Sequence, residues 1–318
     1  MDAYLGLDIG SVTTKLIALD AEGALITSLY TRTLGRPIEV TQNGVRRISQ
    51  QLGNGWRVRG VATTGSARKL IGVVAGADVV KNEITAHAVG ALHYVPDVRT
   101  IIEIGGQDSK VIMLRDGIVT DFAMNSVCAA GTGSFLDQQA YRLNIPIEEF
   151  GALAVHSETP VRIAGRCTVF AESDMIHKQQ MGHRVEDILY GLCQALARNY
   201  LNNLCLGKEI LGPVVFQGGV AANVGMVRAL EEALGMPVTV PPHYNVMGAI
   251  GAAILAQEHM SYNGKTPTRF RGWEMSEIKY ETSSFECQGC PNLCEVVQIR
   301  VGEEILARWG GRCGKWEM

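Results

Sequence analysis

The sequence lacks long hydrophobic runs and strong net charge. Its longest nearly apolar stretches, residues 70–77 and 246–256, fall well short of the roughly 20 residues that cross a bilayer. The first residues, MDAYLGLDIGS, contain no basic leader with an apolar segment, so we expect a cytoplasmic protein without a membrane partner. Only 19% of residues are charged and the formal net charge is −3, which argues against a nucleic-acid partner.

Several common catalytic signatures are also missing. No G-x-x-x-x-G-K-[ST] occurs, and no G-x-G-x-x-G follows a predicted strand, which disfavours P-loop and Rossmann nucleotide sites. No G-x-S-x-G elbow supports a serine hydrolase, and the seven histidines show no metal-ligand spacing. Any nucleotide chemistry must therefore use another loop design.

What the 318 residues do contain is an internal repeat. The segment LGLDIGSVTTKLIALD aligns with IIEIGGQDSKVIMLRD about 95 residues later, so that Asp8 falls on Glu103 and Lys15 on Lys110. Each copy predicts an apolar strand, a glycine turn and a second strand with alternating apolar residues, and a third strand follows. The length also favours about two domains, so we predict two duplicated lobes.

Three glycine turns, DIGSVTTK, EIGGQDSK and FQGGVAAN, could together clamp one nucleotide. Glycine lets backbone N–H groups approach phosphate oxygens, hydroxyls add donors, and a carboxylate such as Asp8 can hold magnesium through water. Any one of these turns alone could simply make a tight hairpin. The duplication and the third turn favour the nucleotide interpretation.

These turns, in this order, resemble the phosphate-1, phosphate-2 and adenosine motifs of the actin, Hsp70 and sugar-kinase ATPase superfamily. The segments NSVCAAGTGSFLDQQAYRL and GRCTVFAESDMI are similar to those of ATP-dependent activators of 2-hydroxyacyl-CoA dehydratases and of benzoyl-CoA reductase ATPase subunits. The resemblance covers residues 3–258 and implies an α/β, ribonuclease H-like fold with ATP in a cleft between two lobes. Glu103 departs from the pattern, because aspartate is also common there.

We accordingly expect three parts. Residues 1–95 form lobe I, completed by a helix near residues 246–260, and residues 96–258 form lobe II with two cluster cysteines. A linker over residues 262–268 leads to a small cysteine-rich extension, residues 265–318.

The resemblance also implies roles for individual residues. Asp8 positions magnesium, while Gln107 and Asp108 orient the attacking water. The residues expected to contact ATP or ADP are Gly10, Ser11, Thr13, Lys15, Gly105, Gly106, Gly131, Gly133, Gly218, Gly219 and Asn223. Of these, Ser11, Thr13 and Lys15 face the phosphates, and Gly218 and Gly219 admit the adenosine.

Cys128 and Cys167 each precede a segment with helical character, residues 129–143 and 168–180. At a helix N-terminus the dipole and the free N–H groups favour a thiolate and an anionic cluster. Two thiolates cannot hold a four-iron four-sulfur cluster, which usually takes four, so a two-fold symmetric homodimer would complete the set. The resemblance implies this shared 4Fe-4S cluster, with ferredoxin or flavodoxin as electron donor and an iron–sulfur dehydratase or a double-cubane cluster protein as acceptor.

Four of the eight cysteines lie in the extension. Cys287, Cys290 and Cys294 are spaced C-x-x-C-x-x-x-C, and 18 residues separate Cys294 from the fourth cysteine, Cys313. Four thiolates this close in sequence suit a second iron–sulfur cluster or zinc, and the spacing slightly favours iron–sulfur. A partly oxidised or disordered cysteine cluster is the alternative.

The function we predict is therefore ATP-dependent one-electron transfer to a partner iron–sulfur enzyme. One alternative is a small-molecule kinase of the same superfamily with Asp108 as base, which would leave Cys128 and Cys167 without a role. Another is a metal-binding scaffold whose assembly responds to nucleotide. The sequence does not name the acceptor's substrate.

Overall fold

A computed structural model describes residues 1–125, 127–262 and 266–317 of the chain. These form two compact units: unit 1 comprises Met1–Ala86 with Gly248–Met318, and unit 2 comprises His87–Met247. The centre of the expected linker, residues 263–265, lies outside the described residues. None of the helices over the described residues combines the length and the hydropathy that a membrane span requires.

Unit 1 opens with a three-stranded meander and continues with alternating helices and strands. Its elements up to the boundary are β1 (Asp2–Ile9), β2 (Thr13–Leu19), β3 (Leu25–Arg32), α1 (Pro37–Leu52), β4 (Arg57–Thr64), α2 (Arg68–Ala75), β5 (Val79–Val80) and α3 (Glu83–Tyr94), which runs into unit 2. The sheet order is β3-β2-β1-β4-β5. The meander pairs antiparallel, whereas β4 pairs parallel with both β1 and β5.

Unit 2 repeats this sheet with helices inserted after the meander. Its strands and helices are β6 (Thr100–Ile104), β7 (Ser109–Arg115), β8 (Ile118–Asn125), α4 (Gly133–Leu143), α5 (Ile147–Ala154), α6 (Thr168–Gln180), α7 (Val185–Leu204), β9 (Val214–Gln217), α8 (Val224–Leu234) and β10 (Val238–Thr239). The order β10-β9-β6-β7-β8 matches that of unit 1 strand for strand. The predicted duplication and the two-sheet α/β fold are confirmed.

Alternation along β1 explains why unit 1 has a helical layer on each face of its sheet. Leu5 and Leu7 join the apolar cluster that contains Val45 of α1 and Ile71 of α2. Gly6 points the other way, toward α9 (Met247–Tyr262), and a Cβ there would overlap the carbonyl oxygen of Ala249. The small apolar helix predicted near residues 246–260 therefore packs directly on the β1 backbone.

The core of unit 2 is built around α7. The sequence predicts a helix with one buried stripe, but residues 187–193 are buried on every side, because the helix packs among the sheet, α5, α6 and α8. Cys193 and Cys205 belong to this core, as predicted. Burial raises the pKa of both thiols, that of Cys205 to about 12, so neither is a ready ligand or nucleophile.

The C-terminal extension is part of unit 1. It contains three antiparallel strands, β11 (Glu281–Glu286), β12 (Glu295–Val301) and β13 (Glu304–Trp309). Met275 and Ile299 are fully buried in the same apolar cluster as α1 and α2. The extension is therefore packed on the core of the unit. Thr268, the last residue of the expected linker, donates a hydrogen bond to Asp78 at 2.7 Å.

Candidate functional site

The first glycine turn joins β1 to β2 and places an acid–lysine pair at its base. Asp8 lies opposite Lys15 in the strand register, and the Lys15 Nζ to Asp8 Oδ2 distance is 3.1 Å. The turn closes when the Gly10 N–H donates to the carbonyl of Thr13 at 2.9 Å. Asp8 is buried while Ser11 is exposed, so the hydroxyl end of the turn is accessible above a buried carboxylate.

The second turn, between β6 and β7, repeats this geometry with one more carboxylate. Lys110 Nζ lies 3.0 Å from Glu103 and 2.8 Å from Asp108, and the Gly105 N–H donates to the Asp108 carbonyl at 2.9 Å. Burial alone would lower the pKa of Lys110, but the two carboxylates outweigh it and hold that pKa above its usual value. Lys110 therefore stays charged, and half-exposed Asp108 remains within reach of solvent.

Each unit also has a glycine, here called the crossing glycine, whose backbone lies directly against the end of the first strand of that unit. Gly218, predicted to admit the adenosine, has φ +92°, and a Cβ there would lie 2.8 Å from Glu103 Oε1. Gly65 follows β4 in the same way, with φ +86° and a Cβ that would lie 2.7 Å from Asp8 Oδ1. Sequence reasoning missed Gly65, because the helices inserted in unit 2 break the constant offset of the repeat. The signal was the TTGS stretch directly after a buried strand.

Buried polar atoms without partners mark the same strand ends. Within the described residues, Oγ1 of Thr64 and Oε1 of Gln217 have no hydrogen-bond partner. Thr64 ends β4 and Gln217 ends β9, which are equivalent strands, and each residue directly precedes its crossing glycine. Unpaired buried polar atoms are uncommon in folded proteins, and a bound ligand with its water shell is one way to satisfy them. The strand ends are therefore candidate ligand positions in each unit.

Three other predicted nucleotide residues make close contacts within the protein. Asn223 caps α8, its Oδ1 accepting from the Met226 N–H at 3.0 Å. A Cβ at Gly131 would lie 2.8 Å from Asn199 Oδ1, and one at Gly133 would lie 3.0 Å from the Gly105 carbonyl oxygen. Direct nucleotide contact by these residues stays a prediction.

The second turn is hydrogen-bonded to the segment that carries Cys128. The N–H groups of Gly133 and Ser134, at the start of α4, donate to the carbonyls of Gly105 and Gly106 at 2.8 and 2.9 Å. The Ser134 hydroxyl also donates to the Gly106 carbonyl. The second turn is therefore bonded directly to the first turn of α4.

These bonds also correct the expected position of Cys128. The cysteine precedes a short 3-10 turn over Ala129–Gly131, and Thr132 in extended backbone is the N-cap of α4. The thiol is therefore one turn removed from the α-helix, because the first N–H groups of α4 are directed at the Gly105–Gly106 carbonyls. Cys167 does cap α6, as predicted.

Asn199 of α7 joins the two cysteine segments. Its side-chain amide donates to the carbonyl of Gly165, two residues before Cys167, while its Oδ1 lies against Gly131, three residues after Cys128. Both cysteines are partly exposed, and large apolar side chains beside them face solvent: Val127 is 95% exposed and Phe170 is 67% exposed. One side chain of unit 2 thus contacts both cysteine segments, and exposed apolar side chains stand near each cysteine in the chain.

The cysteines of the extension are arranged differently. Cys287 is buried, Cys294 is partly exposed, and Cys290 and Cys313 are exposed. The Trp316 indole N–H donates to the Cys287 sulfur at 3.2 Å and lowers the pKa of that thiol. Across residues 1–125, 127–262 and 266–317, no three Cys, His, Asp or Glu side chains are close enough to hold a metal ion.

Comparison with known proteins places this geometry in a family. The model of the BadF/BadG/BcrA/BcrD ATPase family matches residues 5–256. The (R)-2-hydroxyglutaryl-CoA dehydratase activating ATPase of Acidaminococcus fermentans is 38% identical over 79% of this chain and 96% of its own length. The 2-hydroxyisocaproyl-CoA dehydratase activator of Clostridioides difficile is 35% identical over 79% of this chain and 94% of its own.

Solved structures of two proteins of this kind are also similar to this chain. Component A of the Acidaminococcus fermentans dehydratase superposes with a TM-score of 0.76 at 33% identity, over 82% of this chain and 100% of its own. The Clostridium difficile activator with bound ADPNP gives 0.74 at 32% identity, over 82% and 96%. A ROK family glucokinase from Streptomyces griseus shares the fold alone, at 13% identity, a TM-score of 0.51 and coverage of 80% and 99%.

Proposed function

The chain belongs to the BadF/BadG/BcrA/BcrD ATPase family, and we propose that it is the ATP-dependent electron-transfer activator of a partner iron–sulfur enzyme. The acceptor is a 2-hydroxyacyl-CoA dehydratase or a double-cubane cluster reductase, and the donor is a ferredoxin or flavodoxin. Relatives named as dehydratase activators support this class of partner. The observation that carries the proposal is the hydrogen-bonded link, within unit 2, between the Gly105–Gly106 turn and the segment of Cys128.

ATP is the nucleotide we assign to the glycine turns, and the neighbour with bound ADPNP supports this assignment. In unit 1, Asp8 positions magnesium through water, and the turn of Gly10, Ser11 and Thr13 with Lys15 serves the phosphates. The donor set fits, since magnesium usually takes one or two carboxylates together with phosphate and water. Bound with ATP, the ion would offset phosphate charge during hydrolysis.

In unit 2, Gln107 and Asp108 orient the attacking water, and Gly218 with Gly219 admits the adenosine. Asp108 fits this role because its side chain is 41% exposed and held by Lys110 at 2.8 Å, so its second oxygen can accept from a water. Gly218 fits because its backbone conformation excludes a side chain at the strand end.

The thiols of Cys128 and Cys167 fit a shared cluster. They are partly exposed, and Asn199 contacts the segments of both. Two thiols are half of the usual four-thiolate set, so we propose that a second copy of the chain supplies the other two across a two-fold axis. The exposed apolar side chains of Val127 and Phe170 suit burial in that interface. When bound, a 4Fe-4S cluster supplies a one-electron carrier.

Coupling follows from the backbone contacts of Gly133 and Ser134. Loss of the γ-phosphate changes what the Gly105–Gly106 turn contacts, and the two carbonyls transmit that change to the start of α4 and so to Cys128. A near-complete switch between two states needs a bias of roughly 5 kcal/mol, which differential nucleotide binding can supply.

The test is anaerobic purification of the full chain followed by iron and sulfide analysis, EPR and ATPase assay. We expect about four iron atoms per dimer at the Cys128 and Cys167 centre. Cys128→Ser should abolish that iron, and the matched control Cys313→Ser, an exposed cysteine of the extension, should keep it. Asp8→Asn should lower ATPase activity by about 100-fold or more while the iron remains.

Two results would contradict the proposal. Iron content that is unaffected by Cys128→Ser would contradict a shared cluster bound by Cys128. Absence of iron with intact ATPase activity would favour a small-molecule kinase, which a screen of hydroxyl and carboxylate acceptors would then identify.

A further inference from the structure

The C-terminal extension lies beyond residue 256, where the match to the family model ends, and the proposed function gives its cysteines no role. We propose that Cys287, Cys290, Cys294 and Cys313 form a four-thiolate site for a thiophilic metal within one chain. This inference goes beyond the electron-transfer proposal and does not depend on it.

The β11–β12 hairpin brings three of the cysteines into one turn. Glu286 and Glu295 are the last paired residues of the two strands. The Cys287 N–H donates to the Cys294 carbonyl at 2.8 Å, which extends the pairing by one step and fixes the base of the turn. The Leu293 N–H then donates to the Cys290 carbonyl at 3.2 Å, so the turn folds back on itself. Metal knuckles commonly place their thiolates in tight turns of this kind.

The end of β13 brings the fourth cysteine to the same end of this small sheet. Trp309, the last residue of β13, lies opposite Val297 near the start of β12. Gly310 then turns with φ +108°, against the backbone of Glu295, so that residues 311–317 fold toward the cysteine turn. The Trp316 N–H reaches the Cys287 sulfur at 3.2 Å, three residues after Cys313.

The surroundings of Cys287 are those that metal-bound thiolates use. Its sulfur accepts hydrogen bonds from the Trp316 indole and from the Gly289 backbone, and Lys315 adds a nearby positive charge. N–H donors and a cation around sulfur orient first-shell ligands and offset the negative charge of a four-thiolate centre.

The platform beneath the turn is rigid. Val296 and Ile299 of β12 are fully buried, and Gln42 of α1 donates to the carbonyls of Met275 and Ile278 at 2.9 and 2.8 Å. The described part of the extension is therefore folded and packed within the unit. The cysteine side chains are not yet within ligand distance of one another as a group. Closure requires the exposed turns of Cys290 and Cys313 to move onto the ion, so metal binding is coupled to local ordering.

The test uses the full chain carrying Cys128→Ser and Cys167→Ser, so that metal at the other centre does not contribute. Anaerobic titration with Co²⁺ should show about one equivalent per chain, with the absorption bands of tetrahedral thiolate coordination. Adding Cys290→Ser or Cys313→Ser should weaken binding by about tenfold or more and reduce the bands. The control Asn292→Ser, an exposed non-cysteine position in the same turn, should bind like its parent.

A second measurement needs no cysteine variant. Alkylation of the wild-type chain, read by mass spectrometry, should show the four extension thiols protected by added Zn²⁺ and reactive after chelation. Metal analysis of the same preparation separates a mononuclear zinc centre from iron with sulfide, and either one supports the site.

The proposal is overturned if Co²⁺ binding is equal in the parent and in a chain lacking all four extension cysteines, or if Zn²⁺ protects none of them. Iron that depends on Cys128 in the wild-type chain would then still stand, so failure of this site and failure of the proposed function are distinguishable.

Discussion

The two acid–lysine pairs at the bases of the glycine turns should respond very differently to loss of the lysine. Lys110 is 4% exposed and bridges Glu103 and Asp108, whereas Lys15 is 17% exposed and has Asp8 as its paired carboxylate. Lys110→Met leaves the buried Glu103 carboxylate unpaired, and we expect it to cost about 3–5 kcal/mol of unfolding free energy at pH 8. Lys15→Met should cost less, about 1–2 kcal/mol, because the Lys15 side chain is more exposed than that of Lys110, although Asp8 is as buried as Glu103.

The pH dependence gives the sign of the effect. In wild type the pKa of Lys110 is raised, so its contribution is complete below the ordinary lysine pKa of about 10.4 and is lost only at higher pH. In Lys110→Met the Glu103 carboxylate stays buried without a cation, which penalises its charged form and not its neutral form. The deficit should therefore be larger at pH 8 than at pH 5.

Urea unfolding at both pH values, followed by circular dichroism, measures this difference. Hydrogen exchange of peptides covering β6 and β7 locates it. Glu103→Gln combined with Lys110→Met should recover about 2 kcal/mol or more relative to Lys110→Met alone, since no buried charge remains at residue 103. Lys279→Met, at a lysine that is 88% exposed, is the matched control and should stay within about 0.5 kcal/mol of wild type. Equal costs for Lys15→Met and Lys110→Met, or a deficit independent of pH, would refute the assignment of a buried, bridged lysine.

Three further substitutions test the remaining links. Gly218→Ala should weaken nucleotide binding by about tenfold or more in a fluorescent-nucleotide titration, because the left-handed backbone and the strand end leave no room for a Cβ. Wild-type affinity in this variant would contradict the assignment of Gly218 to the nucleotide site. Asn199→Ala should lower both stability, by about 1–2 kcal/mol, and iron content, since it removes the hydrogen bond to the partly buried Gly165 carbonyl of the Cys167 segment. Full iron retention would show that Asn199 does not support the cysteine centre. Ser134→Ala should keep ATPase activity within about threefold. It should lower the nucleotide-dependent protection of the Cys128 segment in hydrogen exchange, because one of the bonds to Gly106 is lost. Unchanged protection would show that Ser134 does not couple the Gly105–Gly106 turn to the Cys128 segment.

Much of the fold was predictable because its signals are local. The repeated acid, glycine and lysine pattern predicted both meanders, and the α6 bounds expected from the sequence, residues 168–180, are those of the structure. Prediction was less successful at Cys128, where the helix begins four residues later than the residues 129–143 suggested. The sequence there favours a helix throughout, but hydrogen bonds to a turn far away in the chain hold Thr132 in extended backbone.

The cysteine spacings and the two glycine turns were determined by the amino-acid sequence itself, because periodicity and short-range spacing depend on neighbouring residues. The crossing role of Gly65, the joining of both cysteine segments by Asn199 and the docking of Met275 among α1 and α2 were decided by the tertiary structure. Each of these joins residues far apart in the chain, and their proximity depends on how strands pair and layers pack. No local sequence pattern encodes which distant residues come into contact.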